Sequence, residues 1–98
     1  MIIKFFDAHE AEKFGISLAD FFSERIKLDS SSKKAKTTSQ KVEIIKKMLV
    51  QVHAFKIKHH PNFYKKAKFA NAFKWHLIDK GYDQAFVNEL TKDILNSL

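Results

Sequence analysis

Only three positions in this 98-residue chain, Gly15, Pro61 and Gly81, hold glycine or proline. A sheet protein of this length needs several tight turns, and tight turns favour those two residues. Their scarcity points to a few long helices joined by short connections. The chain is long enough for one core and too short for two ordinary domains. Hydrophobic residues make up 45%, as in a globular rather than a disordered protein. The expectation is a single all-α domain over residues 1–98. Its compact array holds about four helices near residues 7–27, 39–58, 62–80 and 83–97, with a short extended arm at 2–6 packed on it.

Each helix has its own signals. Asp7 and Glu10 have the spacing of a capping box, in which each side chain satisfies an orphaned N–H. Ala11, Gly15, Leu18, Phe22 and Ile26 then recur at three or four residues as one apolar stripe, widened by Phe14 and Phe21. A helical glycine costs about 1 kcal/mol relative to alanine, so Gly15 implies that a neighbouring helix crosses close by. Residues 29–37, rich in serine and lysine, offer nothing to bury and predict a mobile linker.

Thr37 with Gln40 repeats the capping-box spacing, with Ser39 as the other candidate cap. Val42, Ile45, Leu49 and Val52 form the main stripe of the second helix, with Met48 and Phe55 alongside. Ile44, Val50 and Ile57 lie off it, which implies contacts on two sides or a partner surface. Proline is tolerated in a first helical turn, so the third helix is expected to start at Pro61 or Asn62. Phe63, Ala67, Ala70, Phe73 and Leu77 line its face, with Phe69, Trp75 and Ile78 spreading it into the most buried helix. Gly81 can take the left-handed conformation that ends a helix, letting Tyr82 pack back on Leu77. Asp83 then caps the last helix, with Tyr82 stapled to Val87. Val87, Leu90, Ile94 and Leu98 supply its stripe.

Several chemistries have no residues to carry them. There is no cysteine, which removes disulfides, thiolate nucleophiles and cysteine-ligated zinc and fits a reducing cytosol. The apolar start, residues 1–6, is followed at once by Asp7, Glu10 and Glu12, so no secretory leader is expected. No apolar run approaches the roughly 18 residues of a membrane span, and the expected location is the cytoplasm. Two glycines 66 positions apart cannot build a phosphate-cradling loop or a glycine-flanked serine elbow. No two of the five histidines share the three- or four-residue spacing of a helical chelate. His9 with Glu12 and His76 with Asp79 have it, but no acid lies on the second helix's stripe to complete a carboxylate-rich centre. No catalytic residue, metal ligand or cofactor is assigned; a small enzyme or metal protein would have to be built on His9, His53 or His76.

Charge is the remaining feature. The net charge is +7, yet residues 1–30 carry −2 and residues 69–98 carry −1. Residues 31–68 hold eleven lysines against Glu43 alone. Glu43 and Lys47 form the one favourable pairing four residues apart in that stretch. Clustered lysines displace condensed counterions from phosphates and so bind polyanions without reading sequence. The candidate polyanion-binding residues are Lys33, Lys34, Lys36, Lys46, Lys47, Lys58, Lys65 and Lys68, with His59, Phe63 and Tyr64 as candidate stacking side chains. Arg25, the one arginine, lies elsewhere, so base-edge reading is not expected. The C-terminal corner has the outline of a helix-turn-helix, but Asp83, Glu89 and Asp93 on its last helix would repel DNA. The expected function is therefore a non-catalytic binding module whose lysine segment contacts an acidic partner, nucleic acid first or an acidic protein. In the alternative, surplus apolar residues form a protein-interaction or homodimer surface, and the lysines, partly offset by Asp20 and Glu24, serve solubility.

Overall fold

A computed structural model describes residues 8–26 and 38–98. These form four α-helices, α1 (His9–Arg25), α2 (Thr38–His59), α3 (Phe63–Asp79) and α4 (Gln84–Ser97), with no strand among the described residues. The expected arm at 2–6, the linker at 29–37 and the caps Asp7 and Thr37 lie outside the described residues.

Local chemistry sets the helix ends. The N-cap of α1 is Ala8, which makes no side-chain cap bond; Glu10 and Glu12 in the first turn favour its positive end instead. Its C-terminus closes with the Ile26 N–H donating to the Phe22 carbonyl at 2.8 Å. Arg25 donates to the Phe21 carbonyl at 3.1 Å and stacks 3.7 Å from the centre of the Phe21 ring.

Helix α2 ends at His59, and the next residue, His60, has a φ of 45° in the left-handed region. A residue before proline is disfavoured in the right-handed helical region, so Pro61 helps to force the break. The expected start of α3 at Pro61 or Asn62 shifts to Phe63. Asn62 is the N-cap, its side chain accepting from the Lys65 N–H at 2.8 Å, and Pro61 stands just ahead of it. The α3–α4 corner follows the sequence expectation closely. Gly81 has φ of 103°, its N–H donates to Ile78 at 2.9 Å, and the Tyr82 N–H reaches back to Leu77 at 3.2 Å. Together these bonds form a Schellman motif. Asp83 then caps α4 by accepting from the Phe86 N–H at 2.9 Å.

Helices α1 and α3 share the most extensive interface. They run in the same direction, as three successive contacts show. Phe14 stacks on Phe69 at 5.4 Å, His76 bonds Asp20 at 2.8 Å, and the Tyr82 hydroxyl donates to the Ile26 carbonyl. Gly15 lies at the crossing and allows it: a Cβ there would stand 2.7 Å from the Phe69 carbonyl oxygen. Leu18, Ala19, Phe22, Phe69, Phe73 and Leu77 are fully buried between the two.

Helix α2 runs the opposite way along α1. Phe55 near its end stacks on Phe14 at 4.5 Å, while Lys41 near its start reaches Phe86, which itself packs on Phe22. Its buried row is Met48, Val52 and Phe55, with Ile44, Ile45 and Leu49 partly buried. This corrects the expected main stripe, because Val42 is exposed and the helix is rotated toward Met48. The flat Phe14–Phe55 stack accounts for the rotation, since turning Val42 inward would swing the larger ring out. Helix α4 closes the core with Val87, Leu90, Ile94 and Leu98, all buried as the periodicity predicts. Among the described residues no helix is long and apolar enough to cross a membrane.

Candidate functional site

The α2–α3 corner gathers positive charge without an acidic residue in its own stretch of chain. Residues 56–68 hold Lys56, Lys58, Lys65, Lys66 and Lys68, together with His59 and His60, and no aspartate or glutamate. A three-residue connection joins the two helices, so the last turn of α2 and the first turns of α3 lie at one end of the array. Lys56, Lys58 and His59 suit the negative end of α2. Lys65 does not suit α3: it sits in the positive first turn, which contains no acidic residue, with Lys66 immediately behind. The lysines here therefore exceed what helix stability explains.

Asp20 and Glu24 of α1 are engaged elsewhere, whereas Glu10 and Glu12 lie in its first turn, at the same end of the array as the corner. Asp20 lies 2.8 Å from His76 Nε2 and 3.6 Å from Lys80 Nζ, and Glu24 lies 3.5 Å from Arg25. His76 thus pairs with Asp20 across the α1–α3 interface rather than with Asp79 on its own helix. Among the described residues, no lysine between 41 and 68 lies in an ion pair, so Asp20 and Glu24 do not offset those lysines.

The aromatic candidates divide. Phe63 is 87% exposed at the first position of α3, which corrects its placement on the buried stripe. Helical drift accounts for this, since ten residues at 3.6 per turn leave Phe63 about 80° from Phe73. Tyr64 is half-buried against the core, with Lys68 Nζ 5.6 Å from its ring centre. His59 is exposed, but one ring face packs 4.5 Å from Phe55. Of the three, Phe63 has the most ring surface free.

The remaining lysines are distributed. Lys46 and Lys47 are exposed, but they precede Lys58 by about three turns and point about 100° apart. They do not join the corner. Lys41 spends its charge on the Phe86 ring, 5.0 Å away. Lys33, Lys34 and Lys36 lie outside the described residues. Lys56 and Lys66 belong with the corner although periodicity alone did not single them out; the signal was the acid-free run from 56 to 68.

A shallow groove of about 320 Å³ between α1 and α2 is lined by Ser17, Asp20, Phe21, Glu24, Arg25 and Gln51. Its charged groups already pair with one another or with α3. Among the described residues, no three histidine, aspartate or glutamate side chains come together as a metal site. Comparison of the chain with protein-family models, with curated proteins and with solved structures finds no match in any of the three.

Proposed function

We propose that this domain is a non-catalytic binding module that holds nucleic acid by charge at the α2–α3 corner. One observation supports the reading: Phe63, left 87% exposed, falls within a stretch, residues 56–68, that holds five lysines and no acid. Unpaired lysines gain by displacing counterions from phosphates, and an exposed aromatic ring offers a face for an unpaired base. The α4 surface, with Asp83, Glu89 and Asp93 exposed, is unsuited to a DNA groove. The contact is therefore to backbone and base faces, without base-edge reading.

The test is fluorescence anisotropy with single- and double-stranded oligonucleotides at two salt concentrations. Affinity should fall steeply with salt, with a log–log slope of about −0.7 per single-strand phosphate neutralised. Replacing Lys58, Lys65, Lys66 and Lys68 with glutamine should flatten that slope. The same change at Lys33, Lys34 and Lys36 reports whether that segment takes part. No binding at about 50 mM salt refutes the reading, because charge-driven affinity is strongest there.

A further inference from the structure

Helix α2 carries two apolar rows. One, Met48, Val52 and Phe55, is buried in the core. The other, Val42, Val50 and Ile57, is 45%, 70% and 58% exposed. At 3.6 residues per turn these three side chains fall within about 80° of one another, close to opposite the core row. They are spaced eight and seven residues apart, which makes a straight ridge about 22 Å long. Among the described residues the row is not part of the core.

We propose that this outward face of α2 is a docking surface for an acidic amphipathic helix of a partner protein. The spacing argues for a helix, because two-turn repeats are what an opposing helix presents along one seam. The charges argue for acid. Lys46 lies within the row, while Lys47 and Lys56 flank it on opposite sides; none is ion-paired among the described residues, and Glu43 is the only carboxylate on this face. A second copy is the poorer occupant, because two such faces would bring lysines against lysines. Nucleic acid is poorer still, because valine and isoleucine have no ring face for a base.

The probe is a labelled peptide of about 20 residues with a leucine seam flanked by glutamates, compared with one whose flanks are lysines. The glutamate peptide should bind at least about tenfold more tightly and lose affinity as salt rises. Val50→Ser should weaken it about tenfold, and Ile57→Ser should do the same. Both changes are neutral and exposed, so circular dichroism should match the parent protein, and Val50→Ser, outside the corner, should also leave oligonucleotide binding unchanged. This separates the proposal from the nucleic-acid reading, which can fail or hold independently. Failure of the glutamate peptide to bind, or equal binding of both peptides, overturns it. So does a dimer in light scattering that Val50→Ser abolishes, since a second copy would then cover the face.

Discussion

Gly15 and Phe69 stand so close that a Cβ atom on the glycine would lie 2.7 Å from the phenylalanine's carbonyl oxygen. The same atom would meet Ala72 Cβ and the Phe73 nitrogen at 3.1 Å. Two of these three neighbours are backbone atoms of α3, so relief requires the helices to move apart. Alanine at position 15 would gain about 1 kcal/mol of helix propensity. Overpacking a core costs about 1–3 kcal/mol, and here it acts on the main interface. Gly15→Ala is therefore expected to be net destabilising, by up to about 2 kcal/mol. Urea denaturation checks this, and an increase in stability would refute the close crossing.

Tyr82 ties the end of α1 to the α3–α4 corner through its hydroxyl, which donates to the Ile26 carbonyl. Tyr82→Phe leaves that carbonyl without its partner and should cost about 1–3 kcal/mol. Burial raises the Tyr82 pKa above its ordinary 10.0. The folded state then holds the proton more tightly than the unfolded state does. This contribution is complete below pH 10 and is lost as pH rises through the folded-state value. The stability gap between wild type and Tyr82→Phe should accordingly narrow in alkaline denaturation series, and a gap that widens contradicts the burial.

Gly81, at φ of 103°, is held in a conformation that L side chains rarely adopt. Gly81→Ala should cost about 1–3 kcal/mol. Asp83→Ala, which removes the α4 cap, should cost about 0.5–2 kcal/mol. Both changes act at one corner, so the double variant should depart from additivity. Thermal melts of the two singles and the double check this.

Phe63→Ala removes a ring that makes little use of the core, so stability should change by no more than about 0.5 kcal/mol. If the corner binds single strands as proposed, the same change should weaken single-strand affinity roughly five- to 150-fold. The salt slope should stay the same, because no charge is altered. Unchanged affinity would remove stacking from the proposal and leave charge alone.

The sequence by itself determined the four helices and most of their ends. Caps, left-handed glycines and three- or four-residue periodicities act between neighbours in the chain, so Gly81, Asp83 and the α4 stripe could be read without knowing what they pack against. The acid-free lysine run was equally legible, being a matter of composition. Only the tertiary structure decided which face of α2 turns inward, that Asp20 serves His76 and Lys80 rather than the lysines of α2 and the corner, and that Phe63 is left outside. Asp20 and His76 are 56 residues apart, and Phe14 and Phe55 are 41 apart. Such pairings depend on the sizes and shapes of side chains brought together by other helices. A helix with apolar residues on two sides contains no local information that selects between them.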